Sequence, residues 1–372
     1  MDREIQYTLL HLSLISGVGA GVIEKLVKNC SDLIPHMYDV TVSDLLSRGF
    51  AQKTAQIIIN GLQDTKLIGT ETELLAKHRL TIVTVADDDY PITLKHIFLP
   101  PPVLYVHGDY SLLTTPSIGI VGSRKPTAYG LACVKHFLPP LVHAGLTIVS
   151  GGAYGIDACA HRQTLDLKGS TIAVLGSGLL RPYPREHQTL FKQIAEQGGA
   201  VISPFALQAE AQQWTFPVRN RIIAGLSQGT LIVQAAASSG ALITARYALD
   251  ENRQVFAVPG SIFDEVSAGC HTLLTEGAVL VQDGTDVLKE LGLSTTQGRF
   301  YQTTIQENPQ PSIENTDLGQ EDPLLYQLAK PSSLDELIVR TGKTEEELKN
   351  QLFDLQLEGK VEQDFAGLWH KS

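Results

Sequence analysis

Phe216-Pro217-Val218-Arg219-Asn220-Arg221 sets an aromatic ring, an amide and two guanidiniums within six residues. A guanidinium holds phosphate oxygens bidentately, and an aromatic ring stacks on an unpaired base. Trp214, just upstream, offers a second platform. A plainer role is also open to the arginines, tying loops together through carbonyls or an acid. One of the two is expected to be partly structural, Arg221 being the candidate. Both are expected to enter from a long connection ahead of a helix Asn220–Leu226, whose apolar run anchors the segment to a core. Small-residue loops recur through the same part of the chain: Gly122-Ser123-Arg124, Ser150-Gly151-Gly152-Ala153-Tyr154-Gly155-Ile156-Asp157, Gly176-Ser177-Gly178, Ala237-Ser238-Ser239-Gly240 and Pro259-Gly260-Ser261. Glycine lets backbone N–H groups approach a ligand, and a helix N-terminus favours negative charge. With Arg124 and Lys125 beside them, such loops make an anion site if they share one edge; taken singly, each is merely a tight turn.

Other chemistries lack their residues. The first loop has no Gly-x-Gly-x-x-Gly fingerprint, and there is no Walker Gly-Lys-Ser/Thr, so dinucleotide and nucleoside-triphosphate chemistry are not signalled. No paired carboxylates, Ser–His–Asp grouping or metal-ligand spacing stands out. Glu186-His187 is a neighbouring pair that would face different sides of a helix, and His161 reads as a structural hydrogen-bonding residue. Catalytic residues, metal and cofactor are therefore expected to be absent. Cys30, Cys133, Cys159 and Cys270 stand far apart, with no CxxC pair and no disulfide or zinc pattern.

The loops need a scaffold that brings them together. Seven short runs rich in Val, Ile and Leu read as strands buried on both faces: Ile118–Val121, Leu146–Val149, Thr171–Leu175, Ala200–Ile202, Thr230–Val233, Val255–Val258 and Ala278–Val281. Helical patterns separate them, among them Tyr129–Ala144, Ile156–Leu167, Gln188–Gln197 and Leu242–Glu251. Alternation of this kind predicts α/β architecture, an extended Rossmann-like, doubly wound parallel sheet from about Leu80 to Leu293. Its loops at the carboxyl ends of the strands then lie on one edge, where ligands bind. Pro139-Pro140 is expected to kink or interrupt the first helix.

Residues 1–75 read as all-helical, with Gly17-Val18-Gly19 placed as a helix-hairpin-helix turn would be: its amides could meet a phosphate, or simply turn the chain tightly. Residues 76–295 hold the sheet. Ser294–Asp322, rich in Thr, Gln, Asn and Pro, spans the expected linker 296–322. Residues 323–372 then give helices Leu324–Ala329, Ser333–Thr341 and Thr344–Leu357 and a hairpin over Lys360–Trp369, a winged-helix-like pattern. Ser333 and Thr344 are N-cap candidates, with Glu347 completing a capping box.

The chain has 372 residues, 43% hydrophobic and 19% charged, and a net charge of −11. That balance excludes a mostly disordered chain, and no apolar run is long enough for a membrane span or signal peptide, so a reduced cytoplasmic protein is expected. The acidity is uneven. Residues 1–75 carry 6 basic and 9 acidic side chains (net −3), residues 76–295 carry 16 and 17 (net −1), and residues 296–372 carry 7 and 14 (net −7). A local basic site in the near-neutral middle survives the overall sign, because charges are screened over about 8–10 Å at physiological salt.

Gly122–Gly130, Ser150–Asp157 with Ala160-His161, Ala173–Gly178 with Tyr183-Pro184, Phe216–Ser227, Ser239–Ala245 and Val258-Pro259-Gly260 together, in this order, resemble the DprA/Smf family of DNA-processing proteins. The helical N-terminal module (SAM or helix-hairpin-helix-like) and the winged-helix-like C-terminal module fit its layout. The resemblance implies a non-enzymatic, homodimeric single-stranded DNA binder that shields incoming strands in natural transformation and helps load the RecA recombinase. It places DNA-binding residues at Ser123, Arg124, Lys125, Gly151, Gly152, Phe216, Arg219, Asn220, Arg221, Ser239 and Gly240. The chain departs from the family's pattern at Ser203-Pro204 and Gln234-Ala235, where carboxylates are usual, and at Gln212-Gln213, where a base is usual. Loss of the carboxylates would leave the arginines with fewer internal partners. The competing reading is a nucleotide-binding or nucleotide N-glycosidase-like Rossmann protein, although Ala237–Leu242 lacks the acid that such chemistry needs. A duplex-binding role for the C-terminal module fits poorly with its charge of −7.

Overall fold

The computed structural model describes residues 3–293 throughout and a subset of residues 324–371. Two compact units divide the chain, Met1–Thr304 and Ile305–Ser372.

The first unit opens with five helices: α1 (Arg3–Leu14), α2 (Ala20–Asn29), α3 (Val42–Ser47), α4 (Gln52–Leu62) and α5 (Thr65–His78). Leu9 and Leu12, and Ile23 and Leu26, sit three residues apart on single helix faces and are fully buried. Thr41 starts α3 with a capping box, its own amide donating to the Asp44 carboxylate at 2.8 Å. Gly17 turns α1 into α2 with φ +88°, a conformation glycine adopts without a Cβ clash. The helical span reaches His78, so a boundary at residue 75 falls inside α5. The apolar core of these helices also takes in Val103, Tyr105 and Leu207 from the sheet side.

The sheet elements follow in chain order: β1 (Thr81–Thr84), α6 (Ile92–Lys95), β2 (Val103–Gly108), β3 (Ser117–Val121), α7 (Ala128–His143), β4 (Thr147–Ser150), α8 (Ile156–Asp166), β5 (Thr171–Val174), α9 (Gln188–Glu196), β6 (Ala200–Ser203), α10 (Thr215–Leu226), β7 (Gly229–Ile232), α11 (Gly240–Asp250), β8 (Gln254–Ala257), α12 (Ala268–Thr275), β9 (Val279–Leu280) and α13 (Gly284–Glu290). They build one nine-stranded sheet of order β1-β2-β6-β5-β4-β3-β7-β8-β9. The seven strands from β6 to β9 in that order run parallel, as expected. β1 and β2, which strand periodicity does not single out, add an antiparallel extension beyond β6. The strand order reverses at β3, which pairs with β4 on one side and β7 on the other. The carboxyl ends of β3 and β7 therefore flank a crevice, the place where open α/β sheets hold ligands.

Two expectations about helices are corrected. α7 is not interrupted: it runs through Pro139 and Pro140 to His143. The prolines remove N–H groups that would reach the carbonyls of Lys135 and His136, and both of those residues are exposed, so water can take the freed acceptors. Buried Phe137, Leu138 and Leu141 hold the turn in place. α10 begins at Thr215 rather than Asn220, so Phe216, Arg219, Asn220 and Arg221 all ride on one helix.

In the second unit, α14 (Leu334–Thr341) is followed by the antiparallel pair β10 (Val361–Gln363) and β11 (Trp369–Lys371), which is the expected hairpin. Ser332 bridges to Trp369 with paired 2.9 Å backbone bonds. Leu337, Leu348, Leu352 and Val361 form a small core. The linker, the caps Ser333 and Thr344, and much of the other two expected helices lie outside the described residues.

Candidate nucleic-acid interface

The crevice at β3/β7 is a cleft of about 530 Å³. Its walls come from the loop after β3, the loop after β7, and the facing sides of α10 and α11. Ser123, Arg124, Lys125, Phe216, Arg219, Asn220, Ser239 and Gly240 all line it. Gly151 lines a small adjoining recess with Arg124, Tyr183, Phe216 and Arg219. Gly152 and Arg221 line neither.

Phe216 is the centre of a cationic–aromatic cluster. The Arg124 guanidinium lies 5.4 Å from its ring centroid and that of Arg219 5.9 Å, while the Tyr183 ring packs tilted against it at 5.8 Å. Arg124 and Lys125 are exposed, so their charge faces solvent at the mouth. The loop that carries them is fixed from below. Ser123 Oγ accepts the Lys125 amide at 3.1 Å and the Ser123 carbonyl accepts the Ile156 amide at 3.1 Å. On the opposite wall, Ser239 caps α11 and Asn220 Nδ2 reaches the Gly240 carbonyl at 3.3 Å, tying α10 to the start of α11. Trp214 is exposed and packs edge-on against Phe205 at 5.6 Å.

The arginines of α10 divide in a way the sequence did not specify. Two residues along a helix is a rotation of about 200°, so Arg219 and Arg221 leave on opposite sides. Arg219 turns inward, 5% exposed, and donates to the carbonyls of Gly151 and Val174, the latter at 3.0 Å. Burial lowers its pKa to about 10, against the pull of the neighbouring Asp157 carboxylate. Arg221 is half-buried away from the cleft, where Tyr247, Glu251 and Tyr90 are its electrostatic neighbours. The expectation that Arg221 shares the pocket is corrected, and the arginine tied to loop carbonyls is Arg219.

Asp157 stands out in the sequence only as the end of a loop, yet it is the acidic neighbour of Arg219. It is buried in the cleft floor and accepts the Ala153 amide at 3.3 Å; burial raises its pKa while Arg219 opposes the rise. Arg219 thus has a carboxylate nearby despite the missing acids at Ser203-Pro204 and Gln234. Gln234 does a different job. It is fully buried, its Oε1 accepts the Thr127 amide at 3.0 Å and its Nε2 donates to Thr127 Oγ1 at 3.0 Å, which pins the start of α7. An acid ending a Gly-rich loop on the same edge as an arginine destined for burial was the available signal for Asp157. Tyr183, part of a motif but not assigned to the site, was legible as an aromatic on a neighbouring loop of that edge. Gly152 is a packing position: the Phe191 ring occupies the place of a Cβ, and its carbonyl accepts His187 Nδ1–H at 2.8 Å. His161 is structural, its Nδ1 against Thr171 Oγ1 at 2.8 Å. Among the described residues, no group of three His, Cys, Asp or Glu is placed to hold a metal ion.

Residues 81–292, the sheet and its helices, match the family described as DNA recombination-mediator protein A. The DNA processing protein DprA of Bacillus subtilis (strain 168) is 41% identical over 222 residues, 59% of this chain and 74% of that protein. Protein Smf of Escherichia coli (strain K12) is 38% identical over 280 residues, 75% of this chain and 74% of its own. The X-ray structure of DprA from Streptococcus pneumoniae superposes with a TM-score of 0.66 at 34% identity, covering 78% of this chain and 98% of that one. DNA processing protein A from Helicobacter pylori, whose structure concerns its single-stranded DNA binding mode, gives a TM-score of 0.52 at 29% identity over 57% of this chain and 95% of that one. A matched sheet domain, and relatives covered over most of their length, place this chain in the DprA/Smf family of DNA-processing proteins.

Proposed function

We propose that the β3/β7 cleft binds single-stranded DNA, without strong sequence preference, and that the chain acts as a recombination mediator. The observation that carries this reading is the Phe216 ring set among two guanidiniums at the mouth of a glycine-lined cleft, with Arg124 and Lys125 exposed. A phosphate can meet the cations and the α11 N-terminus, while an unpaired base stacks on the ring; duplex bases are not free to do so. The chain is proposed to do this without catalysis: Asp157, the acid in the cleft floor, is buried with Arg219 rather than free to act on a substrate.

The natural partners in this reading are a second copy of the chain and the RecA recombinase, onto which the bound strand is handed during transformation in the cytoplasm. Exposed Ile243 and Leu249 on α11 and Leu280 on β9 support an association surface on the sheet unit. Among the described residues no helix is long and apolar enough to cross a membrane.

Gel shifts with oligo-dT and a blunt duplex at two salt concentrations test the binding. Preference for oligo-dT with a salt-sensitive affinity is expected, and equal affinity for both overturns the reading. A thermal-shift arm with nucleoside monophosphates separates a small-nucleotide site, which would respond there and not to oligo-dT. Sedimentation velocity and RecA filament assembly on coated single strands test the two partners.

A further inference from the structure

We infer that Glu71, on α5 of the N-terminal helical module, is a positioning residue for the DNA-binding helix α10; this rests on the proposed single-stranded DNA reading of the cleft. Glu71 is 7% exposed, and its carboxylate accepts the Leu207 amide at 2.7 Å across 136 residues of sequence. Leu207 belongs to the irregular stretch between β6 and α10, residues 204–214, which ends in Trp214 and delivers Phe216. It is the one residue of that stretch that is buried, and its side chain sits in the core of the helical module, not of the sheet. Further ties of the stretch run to the loop after β5, where Leu180 donates to the Leu207 carbonyl at 2.9 Å and Gly178 to the Ala209 carbonyl at 2.8 Å, and at its start the Phe205 amide donates to Ser203 Oγ of β6 at 3.0 Å. Thr215 then closes onto the Gly176 carbonyl at 2.5 Å and takes the Gln212 amide at 3.1 Å.

The start of α10 is therefore held between two bodies, the loop after β5 on one side and α5 on the other. A charged acceptor on a buried amide is among the stronger hydrogen bonds available, and an amide left without it bears its full desolvation cost. Without Glu71, the Leu207 amide would have to leave the core for water, carrying the Phe205–Trp214 contact with it. The helical module then serves binding without touching DNA.

Two substitutions separate the acceptor from bulk and charge. Glu71→Met keeps size and helix preference but removes the acceptor; Glu71→Gln keeps an acceptor oxygen and removes the charge. Each is made in a Trp369→Phe background, so that Trp214 is the sole tryptophan. Glu71→Met is expected to weaken oligo-dT binding by about three- to tenfold, the cost of ordering an aromatic side chain again on binding, and to raise acrylamide quenching of Trp214, while Glu71→Gln stays near wild type in both. Unchanged affinity and quenching in folded Glu71→Met overturns the inference, as does equal impairment of both variants. If Glu71→Met does not fold, hydrogen exchange on the wild-type chain decides: oligo-dT should raise protection in α5 and in residues 204–214 together, and protection confined to the sheet loops overturns it. A wild-type chain that fails to bind oligo-dT defeats the DNA reading alone, because Trp214 quenching still reports on the positioning.

Discussion

Arg124 and Arg219 flank the same ring, but solvent exposure gives them different work. Arg124 is exposed with its charge at the mouth, so Arg124→Ala should weaken oligo-dT binding and flatten its log–log salt slope by about 0.7, with the melting temperature unchanged. An unchanged slope in a folded protein would make Arg124 a loop-fixing residue. Arg219→Met should act on stability first, by about 1–3 kcal/mol, because it leaves the buried Gly151 and Val174 carbonyls without their donor; a denaturation curve matching wild type would show that those bonds do not hold the loop. His161 supplies a pH signature. Burial, reinforced by the neighbouring Arg219 and Arg162 guanidiniums and the His187 ring, lowers its pKa from 6.5 to about 3. The folded chain keeps the ring neutral while the unfolded chain takes up a proton below 6.5. Its share of stability is whole above that pH and falls as the pH drops toward 3, at about 1.4 kcal/mol per unit. His161→Gln should flatten the acid limb of the melting profile between roughly pH 6 and pH 4, and an unaltered limb would mean that the native ring is charged. Residue types made the cations and the aromatic legible from sequence. Which arginine turns inward was not, because that depends on where α10 starts, and a shift from Asn220 back to Thr215 turns a flexible approach into a fixed helical phase.

At the level of elements, the seven parallel strands were legible because strands buried on both faces leave unbroken apolar runs bounded by glycine. β2 was not, because its inner partner β6 lies about a hundred residues away, and β1 was not, because it pairs only with β2 at the sheet edge, where nothing local announces it. The same glycines make a sharp prediction. Gly155 begins α8 at φ +78°, and a Cβ there would sit 2.3 Å from the Ser123 carbonyl. Gly155→Ala should therefore lower the melting temperature and oligo-dT affinity together, since the loop bearing Arg124 must move; a backbone strain of this kind costs about 1–3 kcal/mol. Gly240→Ala is the contrast, since its Cβ meets nothing within 4 Å, and it should melt like wild type. Equal effects of the two substitutions would remove the loop from the site.

Across the whole chain, charge rather than fold decides which parts meet DNA. Residues 296–372 carry net −7, so a chain truncated after Leu293 should bind oligo-dT as the full chain does. A loss beyond about tenfold, roughly 1.4 kcal/mol, would bring the C-terminal unit into the site. The strand order also dictates a schedule. β3 finds β4 soon after it is made, but its other neighbour is β7, where Val121 pairs with Ile232, and β2 waits for β6, where Gly108 pairs with Ala200. On a ribosome adding about 5–20 residues per second, the edge of β3 stands open for several seconds while more than a hundred further residues emerge. Throughout that interval the newborn chain displays the open edge of a largely apolar strand, so the half-made protein needs shelter from its neighbours, and the proposed DNA cleft is born only when β7 arrives to close it.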